Sequence, residues 1–372
     1  MIAARVAIVQ DYLPQYRVGF FTGLVERLAD NGIDCVVVAG RPTGSHAVRS
    51  DIGTTTPWLL QASPRQIVIG SDGPRFYGYG TDRYWRDCDG VVMALCGTSL
   101  DLTMELLRKW TSKRRVGVWG HVAPATKAGN PLDLAIERYQ MRRSDHVFAY
   151  TESGADFAVT TGVRPEKVTP VMNSTDVSEL LGAYNSIPQS DVSEFQDHHR
   201  LTAGKTFGFI GGLDAPKRID FLAEVLDYIW KHDHEVKLLV GGRGDQESLL
   251  SSAVTRGQVV MLGYVGSQEK ALLLRSAEGL VNPGRIGLLA VESMAVGIPI
   301  LTTDWKFHGP EYEYLEPGDD VLLTPDNVTD FGNLILDHTN DSRQVRQHTG
   351  KQYPSVSDMV ENFARGVQEM LA

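Results

Sequence analysis

The chain has 372 residues, a hydrophobic fraction of 42%, a charged fraction of 22% and a formal net charge of −10. One hydrophobic core rarely serves so long a chain, so two domains are expected. The acidic balance excludes a general nucleic-acid binder, which neutralises phosphates with surplus Lys and Arg. Cys35, Cys88 and Cys96 show neither metal-ligand spacing nor an even disulfide framework, and they read as small buried apolar residues in a reducing compartment. No apolar run approaches the length of a membrane span and the first residues lack a signal-peptide pattern, so a cytoplasmic protein is expected.

From the N-terminus, short Val- and Ile-rich runs at 5–9, 35–39, 90–95, 116–119, 146–150 and 168–172 alternate with segments of helical period. This is the pattern of a parallel sheet covered by helices on both faces. Tyr16 and Arg17 lie in the loop after the first run, and His121 closes the run at 116–119. Asp87 and Asp89 imitate a metal-binding D-x-D but merely open the run at 90–95, and no metal site is expected. Residues 108–115 gather Arg108, Lys109, Lys113, Arg114 and Arg115 around Trp110. Such a patch suits a solvated helix end or an anionic leaflet, where each cation contributes roughly 1 kcal/mol.

The polar stretch 185–205 has no clear period and reads as a linker, set at 181–204. A second series of apolar runs follows at 206–210, 236–240, 259–262, 279–281 and 299–302. Ile219, Leu222, Val225, Leu226 and Ile229 recur at helical spacing behind the first of these runs. Val356, Met359, Val360, Phe363, Val367 and Met370 do the same at the C-terminus. The expected fold class is therefore α/β: two Rossmann-like, doubly wound domains, 1–180 and 205–350, facing a central cleft. A C-terminal helix, 355–372, is expected to pack back on the N-terminal domain. Ligands of such folds bind at the carboxyl ends of the strands.

Residues 281–302 are the most informative. A strand end runs into a Gly-containing loop, a helix begins near Leu288, and another strand follows Gly297 and Pro299. The free N–H groups and positive end of that helix suit a diphosphate, and Gly287 allows close approach. Glu292, about one turn in, stands where a carboxylate can accept two hydrogen bonds from a ribose diol; the alternative is a solvated helix glutamate.

Gly287, Leu288, Glu292, Ser293, Met294, Ala295, Gly297 and Pro299 resemble the C-terminal signature of the family 4 retaining glycosyltransferases, E-G-F-G-L followed by E-A-M-A-x-G-x-P. The stretch 209–217, with Gly211, Gly212 and Lys217, resembles that family's G-R-L-x-x-x-K, and 240–244, with Arg243, resembles its V-G-x-G. Leu262, Gly263, Tyr264 and Val265 look like F-L-G-x-V, whose backbone brackets the nucleobase, and 172–176 looks like P-N-G-V-D. In order and spacing these motifs span nearly the whole chain.

The resemblance implies the two-domain GT-B fold and transfer of a hexose with retention. The donor would be a UDP- or GDP-sugar and the acceptor a glycan or lipid-linked molecule, as in bacterial surface polysaccharide or glycolipid synthesis. No cofactor and no metal are implied. Lys217 and the adjacent Arg218 would meet the leaving diphosphate, His121 would lie near the transferred sugar, and Tyr16 and Arg17 would line the acceptor side.

Two departures stand out. Gly284 occupies the position of the family glutamate that contacts the sugar, and Gly212 that of its loop arginine. Arg285 is a candidate for the lost cation. Glu311, in the segment 303–314, is the first choice for the lost carboxylate, although Glu311 and Glu313 fit a surface helix equally well. A nucleotide-sugar epimerase of the same architecture and a non-catalytic nucleotide-sugar binder are the alternative readings. If the basic patch docks on the inner membrane face, a lipid-linked acceptor follows.

Overall fold

The computed structural model describes residues 4–40, 56–63, 65–68, 75–79, 82–123, 131–340 and 352–372. The chain divides into two compact units, Met1–Asp176 together with Pro354–Ala372, and Val177–Tyr353.

In the N-terminal unit the strands are β1 (Ala4–Tyr12), β2 (Ile33–Gly40), β3 (Leu59–Gln61), β4 (Arg65–Val68), β5 (Arg75–Gly78), β6 (Gly90–Ala94), β7 (Arg115–Gly120), β8 (His146–Ala149) and β9 (Val168–Pro170). Its helices are α1 (Val18–Asp30), α2 (Leu100–Arg108), α3 (Pro131–Arg143) and α4 (Glu152–Thr160). The sheet runs β3-β2-β1-β6-β7-β8-β9, with β4 and β5 forming a separate antiparallel pair. β1 pairs in parallel with both β2 (Val6 with Cys35) and β6 (Val6 with Gly90), so the strand order reverses at β1. Val6 and Ile8 point into one buried layer, with Phe20, Phe21 and Leu24 of α1. Ala7 and Val9 point into the other, with Leu102 and Leu106 of α2. Burial on both faces explains why these strands read as continuous apolar runs.

The C-terminal unit opens with α5 (Ser178–Ser186) and α6 (Gln189–His198). These helices replace the linker expected at 181–204. Leu180, Ala183, Ile187 and Val192 are buried against Ala271 and Leu274. Pro188 divides the segment into two short helices, so neither carries enough apolar residues to show a period. The strands are β10 (Thr206–Ile210), β11 (Lys237–Gly241), β12 (Val259–Gly263), β13 (Leu280–Val281), β14 (Ile300–Thr303) and β15 (Val321–Thr324), ordered β12-β11-β10-β13-β14-β15. The remaining helices are α7 (Ile219–His232), α8 (Ser251–Thr255), α9 (Ser267–Ser276), α10 (Leu289–Val296) and α11 (Val328–Asn340). All pairings are parallel and the order reverses at β10.

The final helix, α12 (Val356–Leu371), belongs to the N-terminal unit. Ser355 and Asp358 cap it reciprocally, and Met359, Phe363, Val367 and Met370 enter the core beside α1. The rings of Phe363 and Phe148 stack at 4.4 Å. Among the described residues no helix is long and apolar enough to cross a membrane.

Candidate functional site

In the C-terminal unit, the loops after β10 and β11 cross in direct backbone contact. Gly211 N–H donates to Gly241 O and Leu213 N–H to Arg243 O, both at 3.0 Å, while Gly242 N–H donates to Gly263 O at 2.7 Å. A β-carbon on Gly242 would stand 1.8 Å from Gly211 O, and one on Gly244 would stand 2.1 Å from Leu213 O. Only glycine permits this crossing. It leaves Gly212 and Arg243 exposed, with Gly263 at φ +71° and Tyr264 71% exposed at the end of β12.

The loop after β13 is clamped from both sides. On one side Arg285 N–H donates to Pro216 O at 2.8 Å, and the Lys217 amine donates to Arg285 O at 2.5 Å. On the other, Gly309 N–H donates to Ile286 O at 2.5 Å, and Ile286 N–H donates to His308 Nδ1 at 3.3 Å. An accepting Nδ1 means a neutral ring protonated at Nε2. Burial, the largest cause, holds the His308 pKa down at about 4. Beyond Gly287 the first turn is closed by a 3-10-type bond from Ala290 N–H to Gly287 O, and the first α-helical bond runs from Glu292 N–H to Leu288 O. The positive end of α10 therefore lies at 287–289.

Around this helix start lie Lys217, Arg285, Leu288, Glu292 and Glu311. Burial lowers the pKa of Lys217 to about 8; Arg285 lowers it further, while Asp214 and Glu292 oppose the shift. Leu288 is partly buried and packs beside Val177. Glu292, one turn into α10, forms a 2.6 Å ion pair with Lys270 of α9. Glu311 is 4% exposed on a short 3-10 turn, Pro310–Tyr314. A β-carbon on Gly287 would stand 3.7 Å from its Oε2, which places the carboxylate beside the helix start. The surface-helix alternative thus fails for Glu311, because the 3-10 turn directs it inward; Glu313, the other glutamate of the turn, is exposed. Arg218, with a left-handed backbone (φ 55°), is bound into the frame instead: it pairs with Asp326 at 2.6 Å, donates to Pro283 O at 3.1 Å and stacks on Phe221.

In the N-terminal unit, Arg17 and His121 meet at a residue the sequence did not single out, and Tyr16 lies against Arg17. Tyr150, just past β8, has its ring 4.7 Å from that of exposed His121, and the Arg17 guanidinium lies 5.8 Å from its centroid. Tyr16 is 41% exposed, whereas Arg17 is only 5% exposed. The Arg17 guanidinium donates to Asn173 Oδ1 at 2.6 Å and lies against Trp119 and Tyr16. Burial leaves Arg17 shaping the floor of this cluster, with Tyr16 and His121 at its surface. Tyr150 and Asn173 follow strand ends, and that position was the available signal for them. Lys270 had none, because it reaches Glu292 from another helix.

Residues 108–115 do not act as one patch. Arg114 is 10% exposed and pairs with buried Glu105 at 2.8 Å, and Arg108 pairs with Glu105 and Asp82. Lys113 and Arg115 are exposed, and Trp110 is 81% exposed.

Two parallel-sheet α/β units, each with its ligand-competent loops at the carboxyl strand ends, define the class: the architecture is that of the GT-B glycosyltransferases. Residues 204–341 match the family model described as "Glycosyl transferases group 1". The chain is 32% identical over 136 residues to a phosphatidyl-myo-inositol mannosyltransferase of Mycobacterium leprae, an alignment covering 35% of this chain and 36% of that enzyme. It is 21% identical to a 2-deoxystreptamine glucosyltransferase of Streptomyces kanamyceticus, covering 75% and 73% of the two chains. In structure it resembles Anabaena HepE, solved in complex with UDP and glucose, with a TM-score of 0.67, 15% identity and coverage of 98% and 99%.

Proposed function

We propose that this chain is a glycosyltransferase that takes a hexose from a UDP- or GDP-sugar and delivers it, with retention, to a glycan or lipid-linked acceptor. The observation that carries the reading is the start of α10. A helix N-terminus, Lys217, Arg285 and the buried Glu311 carboxylate converge on a glycine-lined loop inside the segment that matches the glycosyltransferase model.

In this reading the helix end, Lys217, Arg243 and Arg285 stabilise the leaving diphosphate. Glu292 accepts from the ribose, and the backbone at Gly263 and Tyr264 brackets the base. Glu311 orients the sugar in place of the carboxylate missing at Gly284. Arg218 positions the loop through Pro283 and Asp326. Tyr16 and His121 meet the acceptor and the transferred sugar, and no metal is required. UDP in the Anabaena complex and the lipid acceptor in the name of the Mycobacterium relative support the donor and acceptor classes.

A thermal-shift screen of UDP-, GDP-, ADP- and TDP-sugars, followed by product analysis with glycan and glycolipid acceptors, tests it. A ligand that binds only the folded state raises the midpoint. Failure of every nucleotide-sugar to raise it overturns the donor assignment. Donor binding without turnover favours a binder, and a free epimer formed without acceptor favours an epimerase.

A further inference from the structure

α2 turns Leu102, Glu105 and Leu106 inward. Its other side presents Leu100, Met104 and Leu107, which are 39%, 47% and 53% exposed, and the stripe continues to Trp110 at 81%. That spacing is one face of a helix. A surface helix ordinarily puts polar residues there, and a contiguous apolar stripe marks a contact surface.

Beside Trp110 lies a surface pocket lined by Lys109, Arg142, Arg143, Ser144 and Lys167. The Arg143 guanidinium sits 5.9 Å from the Trp110 ring centroid, tying pocket to stripe. Asp145 must serve several of the surrounding cations: it accepts from Lys109 at 2.8 Å and lies 3.8 Å from Arg115. Burial, followed by Arg164, Lys109 and Arg115, lowers the Lys167 pKa against the pull of Asp145. The cluster therefore holds a local excess of positive charge in a chain whose net charge is −10.

We propose that this face docks the protein on an anionic lipid bilayer, with phosphate headgroups at the pocket and Met104, Leu107 and Trp110 in the interface. A free phosphate would use the pocket and leave the stripe without purpose. An aromatic and aliphatic stripe rimmed by Lys and Arg is the composition of an interfacial helix. The pocket lies where β7, β8 and β9 begin, and the Tyr16, His121 and Tyr150 cluster lies where strands end. Docking therefore leaves that cluster uncovered. The proposal stands independently of the donor chemistry.

The test is co-sedimentation of the full chain with vesicles of phosphatidylcholine alone or mixed with phosphatidylglycerol, while Trp fluorescence is recorded. We expect binding to the anionic vesicles only, a blue shift absent from Trp110→Phe, and weakening with salt. Leu107→Glu combined with Trp110→Ala alters exposed side chains only and should abolish binding while the melting temperature is kept. Arg143→Gln should weaken it about fivefold, the equivalent of ~1 kcal/mol per cation. Three results would overturn the proposal: no binding to anionic vesicles, undiminished binding by the double variant, or saturation by inorganic phosphate without vesicle binding. Self-association that the double variant removes, again without vesicle binding, would assign the stripe to a second copy instead.

Discussion

A β-carbon on Gly284 would stand 2.5 Å from the carbonyl carbon of Lys217 and 2.6 Å from its Cα. Position 284 therefore cannot hold the glutamate that related enzymes place there. The backbone of the turn at 215–217 already fills the space, and the Arg285 N–H bond to Pro216 O fixes it. Gly284→Ala should destabilise the C-terminal unit by about 1–3 kcal/mol, the range for forced overpacking. Gly284→Glu should cost at least as much and restore no activity. Chemical denaturation checks both, and a Gly284→Ala variant of native stability would show that the turn yields freely.

Lys217 provides a pH signature. Its folded pKa, about 8 against 10.5, means that burial disfavours the charged amine. Between these values the unfolded chain binds more protons, so this group's contribution to stability rises with pH across that window. Donor binding should do the reverse. A diphosphate favours the charged amine, so donor affinity falls as pH rises through about 8, and binding near that pH takes up a proton. Calorimetry in buffers of different ionisation enthalpy reads the uptake, and Lys217→Met should abolish it. Equal proton uptake by wild type and Lys217→Met would remove Lys217 from the donor site.

The fold was legible because parallel strands buried on both faces write themselves as unbroken Val- and Ile-rich runs, as from Val6 to Val9 and from Leu238 to Val240. The glycine loop and helix start after β13 were legible through Gly287 and Glu292, whose neighbours in sequence are also neighbours in space. The pairs that complete the site were not. Lys270 meets Glu292 and Tyr150 meets His121 across elements distant in sequence, and no local period reports such contacts. The helices at 178–198 escaped because Pro188 splits a narrow apolar face into pieces too short to show periodicity. Arg114 looked like a surface cation until buried Glu105 was seen to need it.

The Glu292 and Lys270 pair separates a ligand role from a structural one. Glu292→Ala should weaken UDP binding by about 1.5–3 kcal/mol, the range for hydrogen bonds to a charged group. Lys270→Met removes the partner and frees the carboxylate, so its effect on UDP affinity should be much smaller. Isothermal titration of both variants decides the matter. If the two lose affinity equally, Glu292 acts only through its ion pair.

His308 ties acid stability to the loop after β13. Its folded pKa of about 4 lies below the ordinary 6.5, so the unfolded chain binds the extra proton between these values. The stability present above pH 6.5 is lost as pH falls towards 4, by on the order of 3 kcal/mol for a shift of this size. His308→Gln keeps a hydrogen-bonding side chain without the titration and should flatten the slope of stability against pH over this range. An unchanged slope would assign it to other groups, with buried His146, also lowered to about 4, the first among them.

Glu311 carries the most specific expectation. Its carboxylate is buried beside Gly287, on a turn that Gly309 and His308 fasten to the loop, while the backbone of Lys217 keeps any side chain out of position 284. If the transferred sugar needs a carboxylate at this loop, Glu311 supplies it from the opposite wall. Glu311→Gln preserves shape and a hydrogen-bonding oxygen but removes the charge. An interaction made chiefly in the transition state lowers kcat and kcat/KM together, whereas one made equally with the bound donor raises KM alone. We expect the former, by about tenfold or more, or ~1.4 kcal/mol in the barrier. UDP affinity should hold if Glu311 acts on the sugar half of the donor. Donor hydrolysis without acceptor should fall in step with transfer, since both break the same sugar–phosphate bond. Wild-type turnover in Glu311→Gln would leave the sugar to other groups. A loss of melting temperature in proportion to the loss of turnover would make the residue a structural support of the loop.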